Sequence, residues 1–254
     1  MDTNKVRMIQ AAVGVKEDGI MGNQTLDAII AKLGLNPSYE KTPATTHIFI
    51  DPGHTADFGR EHPSQFTDVD WTKGNAKKIA DNLGFTKTTN DSLEHILNVK
   101  IALAFKKHLE AKGVKTTYYD NPALSNNSEI TQVYSRANTS GADMLVSIHN
   151  NAAGSTGWKS LACKASGTVG LYAKGSVKGH AMAAKMADAI TSLRKKTGGP
   201  DNRADHTSAS TVAVLTKTRI PACLIEIGFY DNINDLLWMS EHIDEIGKAM
   251  ASCV

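Results

Sequence analysis

What the chain has little of narrows the possibilities first. Cysteine is scarce, with only Cys163, Cys223 and Cys253 in 254 residues. Three scattered thiols supply neither a disulfide framework nor a paired-cysteine zinc site, so reduced structural cysteines are expected. No apolar run reaches the ~18 residues that would read as a membrane-spanning helix, which argues against stable membrane insertion. Nor is there an excess of one charge: Lys and Arg total 28 against 26 Asp and Glu, leaving no electrostatic footprint for nucleic acid. The opening "MDTNKVRMIQ" lacks the apolar stretch of a secretory signal, so synthesis in the cytoplasm is expected. Low-complexity segments and fixed-period repeats are missing, as is the short zinc motif His-Glu-x-x-His. Nothing specifies an oligomeric state.

What is present is enough apolar material, 41% of residues, for one main core and a small appendage. Residues 1–35 read as a helical module: Val6, Ile9 and Val13 fall at helical spacing, "EDGIMG" turns the chain, and Leu26, Ile29 and Ile30 resume the stripe. "NPSYEKTPATT" has the prolines and polar residues of a linker, placed at 36–45. The main domain then spans 46–254. There the short runs "HIFID", "GVKTTYY", "DMLVSIH", "TVGLYA", "TVAVL" and "ACLIEIGF" are candidate strands, and 94–112, 177–196 and 234–251 candidate helices. Such alternation predicts an α/β fold, a largely parallel central sheet covered by helices on both faces.

Three of these strands end in a titratable residue. His54 follows "HIFIDPG", His149 closes "DMLVSIH", and Glu226 ends "ACLIE". In parallel strands these ends converge on the sheet edge where ligands bind. Two imidazoles and a carboxylate suit zinc, with Asp51 or backbone available to orient His54. From spacing alone, polar strand-end residues capped by their neighbours are an equal alternative.

The blocks "DPGH" (51–54), "SRANTSGADMLVSIHNNA" (135–152) and "TRIPACLIEIGFYDN" (218–232) together resemble the zinc-dependent N-acetylmuramoyl-L-alanine amidases of type 3. These enzymes cut the amide between the muramoyl lactyl group and L-alanine of the peptidoglycan stem peptide. The resemblance implies a zinc ion (Zn2+) on His54, a glutamate and His149, with Glu226 as catalytic base. For the middle ligand it points to Glu94, because "LEHILNVKIALAFKKHLEAKGVKTTYYDN" carries an asparagine, Asn98, four residues on, then a long helix and a strand. Asp91-Ser92-Leu93-Glu94 also has the form of a capping box, which would make Glu94 a helix cap. Glu61 and His62 are competitors. Asn150, Asn151 and His206 are candidate substrate contacts, while His108 and His242 are expected to be ordinary packing or surface residues.

The segment 55–89, with Phe58, Phe66, Trp71 and a helix around "WTKGNAKKIADNLG", reads either as a rim element touching substrate or as a surface insertion packed on the sheet. Residues 6–29 resemble a shortened peptidoglycan-binding repeat through Gln10, Asp18, Gly19, Gly22 and Thr25, which are candidate wall contacts; a structural alternative has Gly19 supply a turn and Asn23 or Thr25 cap the second helix, and wall binding is favoured because two separate regions point to the same polymer. A wall hydrolase made without an export signal resembles a phage endolysin, released late to reach its substrate; a toxin delivered by a secretion machine is also compatible. Two further readings stay open: a catalytically inactive wall-binding protein, and a zinc peptidase cutting within the stem peptide.

Overall fold

The computed structural model describes residues 2–21, 23–33, 46–55, 62–120, 126–154 and 160–254. The chain divides into two compact units, residues 1–45 and 46–254. The expected linker, together with Phe58, Glu61 and Gly22, lies outside the described residues.

In the first unit, α1 (Thr3–Val13) starts at an Asp2 cap and stops at Gly14, whose left-handed backbone ends the helix. α2 (Asn23–Lys32) follows. Between them the side chain of Gln10, 1% exposed, acts as a peg. Its amide nitrogen donates to Asp18 Oδ1 (2.8 Å), the Ile20 carbonyl (3.0 Å) and Thr25 Oγ1 (3.1 Å). Its carbonyl accepts from the Gly19 N–H at 2.8 Å, and Gly19 sits at φ 76°, where a side chain would also strike Thr3. Four of the five residues that resemble a wall-binding repeat therefore hold the turn of the unit together.

The second unit is built on one six-stranded sheet. β1 (His47–Asp51), β2 (Lys115–Tyr118), β3 (Met144–Asn151), β4 (Val169–Ala173), β5 (Thr207–Ser210) and β6 (Ala222–Phe229) lie in the order β2-β1-β3-β6-β4-β5. The pairs β1–β2, β1–β3, β3–β6 and β4–β5 are parallel, and only β4–β6 is antiparallel. Alternate residues of the central strands feed two cores. Ile48, Ile50, Val146, Ile148, Ile225 and Ile227 pack with α3 (Gly74–Leu83), α4 (Leu93–Ala111), α6 (Val177–Thr197), α8 (Ile233–Glu241) and α9 (Ile243–Ala251). Phe49, Leu145 and Leu224 pack with α5 (Asn126–Thr139) and α7 (Ala213–Thr216) on the other face. Helices on both faces explain why the β1 run is buried at every position.

The structure corrects three element assignments. "TVAVL" is not a strand: Ala213–Thr216 is the short helix α7, and the strand is the preceding "TSAS" of β5. Residues 234–251 are two helices, broken at His242, whose ring stacks on Trp238 at 5.2 Å. α5 was not among the expected helices.

Between His62 and Thr89 the aromatic residues are internal. Phe66 and Trp71 are buried, their rings 5.8 Å apart, Trp71 meets Phe85 at 4.9 Å, and Trp71 Nε1 donates to the Pro63 carbonyl at 3.0 Å. α3 is tied to α8 by Asn82 donating to Ser240 Oγ at 3.1 Å. Phe66 and Trp71 therefore pack inside the unit instead of standing exposed on a rim.

Candidate metal centre

Because β1, β3 and β6 are adjacent and parallel, their carboxyl ends share one edge, and His149 lies directly opposite Glu226 in the β3–β6 register. His54 reaches the same edge by a tight turn after β1. Gly53 has φ 25° and His54 φ 64°, a left-handed backbone uncommon for a residue with a side chain. A Cβ on Gly53 would come within 2.2 Å of His149 Nε2, so only glycine lets the turn pass beneath that ring. The Gly53→Ala protein is expected to displace His149 and to bind zinc about 10–100-fold more weakly, read by competition with a chelating dye.

The third element is the start of α4. Glu94 Oε1 lies 3.3 Å from His54 Nε2 and 3.3 Å from His149 Nδ1, and accepts the Asn150 N–H at 3.2 Å. The cap of α4 is Ser92, without a side-chain cap hydrogen bond, so the capping box does not form and Glu94 faces the histidines. One ligand atom from each of His54, Glu94 and His149 falls within 4.8 Å of the others, and among the described residues this is the one group with metal-binding potential. The donor set, two imidazoles and a carboxylate, fits a zinc-like ion with a position left for substrate. His62, the described competitor, is outside this group.

Charge follows from the geometry. Burial would raise the Glu94 carboxyl, but the facing His54 and His149 outweigh it and hold it near 2. Glu226 goes the other way: burial, opposed by His149 and reinforced by Glu94, lifts it to about 7. Its Oε2 is inaccessible and has no hydrogen-bond partner among the described residues. A carboxylate held anionic and a carboxyl poised near neutrality thus share this edge.

A cleft of about 210 Å³ opens on this edge, walled by Ile130, Val133, Leu171 and Val214. Asp51 is buried in it and accepts from Ser147 Oγ at 2.7 Å. Glu129 of α5 lies next to Asp51, raised to about 8 by burial and by that neighbouring carboxyl. Sequence reasoning did not find Glu129, because the segment that forms α5 was not read as a helix and a single acid among polar residues carries no pattern of its own.

The remaining candidates are placed differently. Asn150 is 2% exposed and donates to Asn98 Oδ1 at 2.7 Å, so its amide is turned into the protein. Asn151 is half-buried, and its carbonyl accepts the Tyr230 N–H at 3.0 Å. His206 Nδ1 lies 3.0 Å from the Thr168 carbonyl and 3.3 Å from Thr191 Oγ1, pinning the loop before β5. His108 is half-buried, with its Nε2 3.1 Å from Asp244 Oδ1, and packs on the side of α4.

Fold and site together define a hydrolytic centre on an α/β sheet, with a group that could hold a metal and a carboxyl of raised pKa beside it. The chain belongs to the N-acetylmuramoyl-L-alanine amidase family, whose model matches residues 48–254. It is accordingly a peptidoglycan hydrolase of that specificity. The fold is similar to that of an N-acetylmuramoyl-L-alanine amidase from Clostridium difficile 630, with TM-score 0.57 and 24% identity over 82% of this chain and 94% of that one. It is also similar to the amidase AmiC2 of Nostoc punctiforme, with TM-score 0.56 and 20% identity over 82% and 94%. The catalytic domain of an endolysin targeting Clostridia difficile matches with TM-score 0.50 and 18% identity over 79% and 97%. A sequence search of curated proteins finds no match.

Proposed function

We propose that this amidase is zinc-dependent, with His54, Glu94 and His149 as metal ligands and Glu226 as general base. The observation that carries the reading is the approach of the three ligand atoms to within 4.8 Å, with Glu226 opposite His149 on the next strand. When bound, zinc supplies a Lewis acid that polarises the scissile carbonyl and makes water a better nucleophile. Glu226 takes a proton from the attacking water and passes it to the departing alanine amine, and a pKa near 7 suits both halves of that task. Water is added across the C–N bond. The products are a lactyl carboxylate on the glycan and a peptide beginning with L-alanine. Glu94, held anionic by its histidine partners, stays a ligand across the same pH range in which Glu226 exchanges its proton.

Chelation tests the zinc assignment. Stripped protein is expected to lose turnover and to recover it with one equivalent of zinc per chain; full activity after exhaustive chelation would remove the metal from the reading.

We further read residues 1–35 as a wall-binding attachment, on their likeness to a peptidoglycan-binding repeat. Gln10, Asp18, Gly19 and Thr25 would shape the unit rather than touch the polymer, and exposed apolar side chains open to a glycan include Met8 (72% exposed), Ile20 (68% exposed) and Leu33 (64% exposed). The double variant Met8→Glu, Ile20→Glu is expected to sediment less with insoluble peptidoglycan while keeping its turnover of soluble muropeptides. Unchanged sedimentation would leave the unit without that role. The endolysin role, in which the enzyme meets the wall only after release from the cell, is supported by the endolysin catalytic domain among its structural neighbours. Among the described residues no helix is long and apolar enough to cross a membrane.

A further inference from the structure

Asn98 touches the machinery without being a ligand. It lies one helical turn after Glu94 on α4, so the two side chains leave the same face of the helix, and it is completely buried. Its Nδ2 donates to the Gly53 carbonyl at 2.9 Å, and its Oδ1 accepts from Asn150 Nδ2 at 2.7 Å. The Asn150 N–H in turn donates to Glu94 Oε1 at 3.2 Å. One side chain therefore joins the three segments that carry His54, Glu94 and His149.

The contact with Gly53 falls beside a constrained stretch of backbone. The next residue, His54, is in the left-handed region at φ 64°, and the Gly53 Cα is pressed against the His149 ring. Something must hold this turn in place, and the fixed amide of Asn98 is bonded to its carbonyl. We infer that Asn98 is a positioning residue for the metal site: its amide fixes the Gly53 peptide, and through it the left-handed turn that aims His54 at Glu94, while Asn150 ties the same amide to the strand of His149. The inference rests on reading His54, Glu94 and His149 as metal ligands. Groups that orient the ligands of a metal contribute strongly to its affinity even without touching it.

A buried asparagine could also serve folding alone, so the test separates folding from binding. Full-length wild type, Asn98→Asp, Asn98→Leu and His149→Ala are compared in three measurements: circular dichroism of the metal-free protein, zinc affinity against a chelating dye, and the visible spectrum of the cobalt-loaded form. Asp keeps the shape and the acceptor for Asn150 but, above the pH at which it ionises, turns an oxygen without a hydrogen toward the Gly53 carbonyl, so the comparison is made across pH; Leu removes both bonds. Both variants are expected to remain folded, to bind zinc about 10–100-fold more weakly, and to show an altered cobalt spectrum. If Leu destabilises the fold, Asp alone carries the comparison. Wild-type zinc affinity and cobalt spectrum in folded Asn98→Asp overturn the inference and leave the metal reading intact. Failure of the wild type to bind zinc, or equal binding by His149→Ala, overturns the metal reading and the inference with it.

Discussion

The Glu226→Gln protein is expected to bind zinc as the wild type does and to cut peptidoglycan about a hundred- to ten-thousandfold more slowly. Glutamine keeps the size of the side chain and its place opposite His149, but its amide neither accepts a proton from water nor returns one to the leaving amine. Binding and polarisation of substrate survive, which is why a residual rate is expected. Wild-type turnover in the variant would remove Glu226 from the mechanism.

The same substitution has an opposite effect on stability. In the fold the Glu226 carboxyl is raised from 4.5 to about 7, so the folded chain holds its proton more tightly than the unfolded chain does. The stability it contributes is complete below 4.5 and is lost as pH rises through about 7. Metal-free Glu226→Gln should therefore melt above metal-free wild type at about pH 8, with the gap closing toward about pH 4.5. A stability cost accepted at a position proposed to be catalytic is a common trade.

The second large effect is on the fold. Asp235→Ala is expected to cost about 3–5 kcal/mol, because it strands a buried charge. Arg194 is fully buried on α6; its Nη1 meets Asp235 Oδ1 at 2.5 Å and its guanidinium lies 4.1 Å from the Trp238 ring centroid. Nε donates to Thr168 Oγ1 at 3.1 Å, and Nη2 to the Ile227 carbonyl at 2.7 Å. Asp235 Oδ2 accepts from the Gly167 N–H (3.0 Å) and the Phe229 N–H (2.9 Å). The pair thus knits the entry to β4, the end of β6 and two helices into one buried network just beyond Glu226. With a whole-domain stability of roughly 5–15 kcal/mol, losing its anion should be visible in urea unfolding at once. The double variant Arg194→Met, Asp235→Ala should recover part of the loss, since no charge is then left alone, but not all of it, since Gly167 and Phe229 still lack an acceptor. Additive losses would show that the pair is not coupled.

The central strands were legible because burial on both faces forces continuous apolar runs, and β1, β3 and β6 carry them. Their titratable ends stood out against those runs. That Glu94 joins His54 and His149 could be read only from its setting, because Asp91-Ser92-Leu93-Glu94 before a helix also has the form of a capping box. β5 was not legible: "TSAS" is a short, half-exposed edge strand, and an edge strand needs no apolar pattern to pair. "TVAVL" misled for the complementary reason, since a short helix that buries Val214 and Leu215 has the composition of a strand. The aromatic residues at 66, 71 and 85 lie at no regular spacing, and only the tertiary fold brings their rings together. The role of Asn98 depends on a carbonyl 45 positions away in the chain, which no local pattern encodes.

The most direct test of the account is mass analysis of the fragments released when the zinc-loaded enzyme digests purified peptidoglycan, with new amino termini and new reducing ends counted in parallel. Peptides beginning with L-alanine, no new reducing sugar, and loss of both peptide release and new termini on chelation are the expected result. New termini at any other stem residue, or release that persists in chelator, would contradict it.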